Sequence, residues 1–116
     1  MSGESMSFVE PSAQQKRLLQ ALAARWSSSP QNWVERVAVR PMKDGGMGSL
    51  ELLLPEAARG SRSFGRRVAE LQFKDEDGVD VIAALNVDQN NLPFELDVWK
   101  TDFGPLLRIP EVIEPG

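Results

Sequence analysis

A chain of 116 residues, 41% hydrophobic and 26% charged, has the size and composition of one soluble globular domain. It contains no His, Cys or Tyr, which excludes imidazole general bases, thiolate nucleophiles and Cys/His zinc sites, and no cofactor or metal is expected. Its net charge of −4 is unevenly spread: residues 1–67 carry ten Lys/Arg against six Asp/Glu, and residues 68–116 carry three against eleven. The overall acidity argues against nucleic acid as the main partner and favours a basic protein partner, or none.

In chain order, residues 1–10 are polar and read as frayed, with Phe8 and Val9 placed to staple the first helix. Ser12 and Gln15 have capping-box spacing, and Leu18, Leu19, Leu22, Ala23 and Trp26 follow on one helical face. A helix is therefore expected over about residues 12–26, ended by Ser27-Ser28-Ser29-Pro30. The period then changes to two. Val37 and Val39 alternate with polar neighbours, Asp44-Gly45-Gly46 supplies a turn, and Leu50, Leu52 and Leu54 alternate again, which reads as a hairpin. Pro55 to Gly65 is aperiodic and carries Arg59 and Arg62, which with Arg66, Arg67 and Phe64 would make a basic loop patch.

The acidic half reads as two further hairpins. Ala69, Leu71 and Phe73 alternate with polar residues, as do Val79, Val81, Ala83, Leu85 and Val87. Keeping both apolar sets on one face demands an even sum of paired residue numbers. A three-residue turn, Glu76-Asp77-Gly78, gives this and sets Lys74 opposite Asp80, Gln72 opposite Ile82 and Glu70 opposite Ala84. A two-residue turn at Asn90-Asn91 would pair Val87 with Phe94, Leu85 with Leu96, Ala83 with Val98, Asn86 with Glu95, Ala84 with Asp97 and Ile82 with Trp99. The expected fold is α+β: an N-terminal helix packed on a five-stranded antiparallel meander sheet spanning about residues 33–103, in a single domain over residues 1–116.

The second face of that sheet would hold Glu70, Asp80, Ile82, Glu95, Asp97 and Trp99. An aromatic anchor ringed by carboxylates has the make-up of a protein interface, and these six residues are the candidate partner-binding site. The competing expectation covers Trp99 with the C-terminal tail, Pro105 to Ile109, and leaves the charges as solvating groups. Glu70 and Asp97 flank Ala84 at roughly 10 Å between backbones, so a His-free hydrolase or lyase using this acid pair is the enzymatic alternative. A homo-oligomer, basic patch against acidic face, is the structural alternative.

Two stretches, Lys43-Asp44-Gly45-Gly46-Met47-Gly48-Ser49-Leu50 and Glu95-Leu96-Asp97-Val98-Trp99-Lys100-Thr101-Asp102-Phe103-Gly104-Pro105-Leu106, together resemble a family of small bacterial proteins of unknown function. The resemblance covers roughly residues 34–110 and implies a bacterial source and no particular activity. In size and composition the chain is also similar to immunity proteins that neutralise bacterial toxins. The absence of cysteine fits a reducing compartment, residues 1–7 lack the basic and apolar regions of a secretory signal, and no apolar run is long enough to span a bilayer. The expectation is a cytoplasmic, non-enzymatic binding module of immunity or accessory type, with no membrane role.

Overall fold

A computed structural model describes residues 7–57 and 61–113. Helix α1 spans Ala13–Ala23, and a 3-10 turn covers Trp33–Glu35. Five strands follow: β1 (Ala38–Pro41), β2 (Leu50–Leu53), β3 (Phe64–Lys74), β4 (Asp80–Asp88) and β5 (Pro93–Lys100). No helix among the described residues is long and apolar enough to cross a membrane.

The capping box closes as the sequence predicts. The Gln15 amide donates to Ser12 Oγ at 3.1 Å and the Ser12 amide to Gln15 Oε1 at 2.8 Å, satisfying two otherwise orphaned N–H groups. The helix ends three residues short of Trp26, because its last turn tightens: Arg25 and Trp26 donate to the carbonyls of Leu22 and Ala23. Leu18, Leu19 and Leu22 are fully buried, and Trp26 and Trp33 meet edge to face at 6.5 Å. Phe8 and Val9 do not staple this helix. Val9 exchanges both backbone hydrogen bonds with Val39 on the outer edge of β1, and the Phe8 ring lies under the Arg40 guanidinium at 4.2 Å. The rest of the expected frayed segment, residues 1–6, lies outside the described residues.

The five strands form one antiparallel sheet in the order β1-β2-β5-β4-β3. The expected meander therefore holds for β3–β4–β5 and breaks between β2 and β3, where β5 inserts beside β2. The β2–β5 ladder is short, Leu50 to Leu96 and Glu51 to Glu95. Where it stops, Arg62 takes over. Its guanidinium donates to the carbonyls of Leu52 at 2.9 Å and Pro93 at 2.7 Å, and to Asp88 Oδ2 at 2.9 Å. Arg62 thus closes the gap between the parted strands and belongs to no exposed basic patch. Arg59, of the same expected patch, lies outside the described residues.

The register across β3–β4–β5 agrees with the sequence reading at Lys74/Asp80, Gln72/Ile82, Glu70/Ala84, Ile82/Trp99, Ala83/Val98, Ala84/Asp97, Leu85/Leu96 and Asn86/Glu95. It departs at the β4–β5 turn, where Val87 pairs with Pro93 rather than Phe94. The turn is one residue longer than expected because Asp88 organises it. Its buried Oδ1 accepts from the amides of Asn90 and Leu92, and Asn91 takes the left-handed conformation.

The C-terminal tail packs on the helix side of the sheet. Leu107 and Arg108 donate their amides to the Asp75 carboxylate, Ile109 is buried and donates to Gln14, and Arg17 donates to the carbonyls of Ile109 and Pro110. The tail ties α1 to the β3–β4 turn and leaves the opposite face of the sheet open.

Candidate binding face

Alternation along β3, β4 and β5 sends Leu71, Phe73, Val81, Ala83, Leu85, Leu96 and Val98 into the helix-side core and their neighbours to the other face. The six residues picked out by the sequence, Glu70, Asp80, Ile82, Glu95, Asp97 and Trp99, all lie on that second face. Lys74 holds Asp80 at 2.7 Å, and this hydrogen bond keeps the Asp80 carboxyl below its ordinary range. Ile82 is half-buried between Gln72 and Trp99. Glu95 accepts from the Asn86 side chain at 3.4 Å.

Three members of the face were not visible in the pattern. The first is Arg67. Strict alternation would put it with Ala69 and Leu71 on the core side, but a register shift between Arg67 and Ala69 leaves Val68 as an extra residue and sets Arg67 opposite Asn86. A bulge re-aims a side chain in this way. Arg67 then reaches Glu70 at 3.3 Å, Asp97 at 3.6 Å and Asn86 Oδ1 at 3.4 Å. Its guanidinium spans the gap between the two carboxylates of the enzymatic alternative. Glu70 and Asp97 thus flank an arginine.

The second is Glu51. Because β5 sits beside β2, Glu51 lies directly opposite Glu95, a like-charge pair that is unfavourable unless each carboxylate is held. Arg40 supplies a forked contact to Glu51, at 2.7 and 3.2 Å. A row Arg40–Glu51–Glu95–Asn86–Arg67 therefore crosses all five strands. A depression of about 240 Å³ opens at the β2–β5 end of this row, lined by Phe8, Met42, Arg62 and Phe94 beside the two glutamates. It is smaller than the usual small-molecule site.

The third is Phe103. Trp99 is 44% exposed and Phe103 70%, and their rings lie 6.3 Å apart at a tilt of 41°. Phe103 follows a tight turn in which its amide donates to the Lys100 carbonyl, while Asp102 caps the Gly104 amide. It adopts φ = 62°, a left-handed conformation that is an outlier for a bulky side chain. Trp99 is partly covered by its neighbours on the sheet and by Phe103, yet it stays exposed, so the expectation that Pro105 to Ile109 would cover it does not hold.

On the opposite side of the same strand end, Lys100 is almost wholly buried and bonds Asp75 at 2.9 Å, Asp77 at 2.8 Å and the Pro105 carbonyl at 3.1 Å. Burial pushes the Asp75 carboxyl up. Lys100 and the amides of Leu107, Glu76 and Arg108 together outweigh that and hold it below its ordinary range. The Gly-rich stretch docks on the same tail: Leu106 donates to the Gly46 carbonyl at 2.9 Å, Ser49 Oγ bonds both backbone groups of Val98, and Asp44 caps the Met47 and Ser49 amides. A Cβ on Gly48 would meet Leu106 at 2.9 Å. The two stretches singled out in the sequence thus form one packed unit, and most of their unusual residues are structural. Trp99 and Phe103 are the exceptions.

Residues 9–110 match the model of a family described as a domain of unknown function, DUF6984. No curated protein and no solved structure matches the chain.

Proposed function

The chain belongs to this family of domains of unknown function, whose description carries no activity, and we propose that it is a non-enzymatic binding module that docks a basic protein partner. Trp99 and Phe103 are the anchor, and Glu70, Asp80, Ile82, Glu95 and Asp97 form the surround. The observation that carries this reading is the exposed aromatic pair, one ring of which is held out by a costly backbone conformation. The pair sets a tryptophan 44% exposed beside a phenylalanine 70% exposed, and strain of this kind concentrates where a surface is used.

Charge shapes the encounter. Asp97 lies two residues before Trp99 and Asp102 directly before Phe103, and Glu95 has no cation within ion-pair distance among the described residues. Arg67 and Lys74 temper the face, so the attraction is local to the aromatic pair. Such complementarity speeds association and makes it salt-sensitive. An immunity or accessory role in a bacterium is consistent with a small module of this kind. The test is affinity capture at low and high salt with wild type and with a Trp99→Ala, Asp97→Asn double variant. A basic protein retained by wild type at low salt, and lost from the variant and at high salt, supports the reading. A partner retained equally by both proteins defeats it.

A further inference from the structure

The sheet has two outer edges, and they differ. The β1 edge is occupied by Val9 and lacks one donor at Pro41. The β3 edge is long, and its half from Ala69 to Lys74 is regular, free of bulge, Gly and Pro. Asp75 donates to the Val79 carbonyl, and antiparallel alternation from that pair turns the backbone groups of Phe73, Leu71 and Ala69 towards β4. The N–H and C=O groups of Glu70, Gln72 and Lys74 therefore point outward. Among the described residues they make no hydrogen bond across that edge.

We propose that this edge pairs with the β3 edge of a second copy, antiparallel about a two-fold axis through Gln72. Outward-facing groups can pair only with outward-facing groups, which restricts the two-fold to a few positions. Centred on Glu70 or on Lys74, the strand sets a charge against itself. Centred on Leu71 it places Glu70 against Gln72 and Lys74 against Val68; centred on Phe73 it places Glu70 against Glu76. Only the register centred on Gln72 sets Glu70 opposite Lys74 of the second copy, twice by symmetry, with Leu71 beside Phe73 on the core side. Each Glu70 then lies between its own Arg67 and the neighbouring Lys74, and each Lys74 between its own Asp80 and the neighbouring Glu70, so charges alternate across the junction. The interface is isologous and closes at two copies, and the sheet runs unbroken through it. Leu71 and Phe73 are already buried in the monomer, so the association rests on backbone bonds and charge and belongs to the weak, salt-sensitive class.

Sedimentation of the full chain from micromolar to millimolar concentration tests this, beside Gln72→Pro. Proline at 72 removes an outward N–H that the monomer does not use, a position edge strands tolerate. Wild type is expected to move from monomer towards dimer as concentration rises, less so at high salt. Q72P stays monomeric with an unchanged near-ultraviolet circular dichroism spectrum. In a mixed isotopically labelled wild-type sample, an intermolecular contact between Leu71 and Phe73 is expected, and it decides the matter alone if Q72P does not fold. A chain monomeric throughout, a dimer indifferent to Q72P, or intermolecular contacts on other residues would overturn the proposal. Gln72→Pro leaves Trp99 and Phe103 in place, so loss of the dimer is separable from loss of partner binding.

Discussion

At Phe103 the positive φ costs a bulky L-residue on the order of 1 kcal/mol, and nothing in the core recovers it, since the ring is in solvent. Replacing Phe103 with Gly removes that strain and leaves the turn intact, so unfolding free energy should stay within about 1 kcal/mol of wild type. Trp26 and Trp33 offer a contrasting pair. Trp33 donates to Ser29 Oγ at 2.9 Å, whereas the buried Trp26 N–H has no partner among the described residues. Trp26→Phe should therefore cost less than Trp33→Phe by about 1 kcal/mol in denaturant unfolding. Asp75 and Asp88 both have carboxyls held below their ordinary range; for Asp88, burial pushes up and the Leu92 amide, Arg62 and the Asn90 amide outweigh it. A depressed folded pKa gives stability that is present above the unfolded value, about 3.9, and is lost as pH falls through the folded one. Thermal melts should accordingly be flat near neutrality and drop below about pH 4. Asp75→Asn should lower stability by about 3 kcal/mol at neutral pH, because Lys100 stays buried, and should make the acid limb shallower.

Strands carry a different lesson. Period-two patterning and turn chemistry were enough for the register of β3–β4–β5, because a one-residue slip would turn every apolar side chain to the wrong face. Patterning reports which face a residue takes and is silent on which strand lies beside it. The β2–β5 contact, and with it the Glu51/Glu95 pair, was therefore invisible. Bulges defeat the pattern more directly: one extra residue at Val68 moved Arg67 from the core side to the open face. A second irregularity lies between Phe64 and Arg66, where Gly65 passes so close to the Asp88 carbonyl that a Cβ cannot fit. Gly65→Ala should destabilise by roughly 1–3 kcal/mol, with fast amide exchange confined at first to the start of β3. Arg62 read as one of a cluster of loop cations; its role as a staple depends on strands parting at a point the sequence does not mark.

Over the whole molecule, the charge imbalance that stands out in the sequence is partly consumed by structure. Asp75 and Asp88 are buried against Lys100 and Arg62, and exposed Asp77 also pairs with Lys100, while Arg67 and Arg40 come from the basic half to meet carboxylates on the second face. The six candidate residues on that face were legible from alternation. Arg67, Glu51 and Phe103 were not, because each depends on a bulge, a non-sequential neighbour or a turn beyond the last strand. What remains exposed on that face is an aromatic pair with carboxylates around it, the proposed docking surface. The most direct measurement combines unfolding free energy with salt-dependent capture of a basic partner for wild type and Phe103→Gly. Stability is expected to stay within about 1 kcal/mol of wild type while the partner is lost; a variant that keeps the same partner at the same strength would overturn the assignment of Phe103 as an anchor.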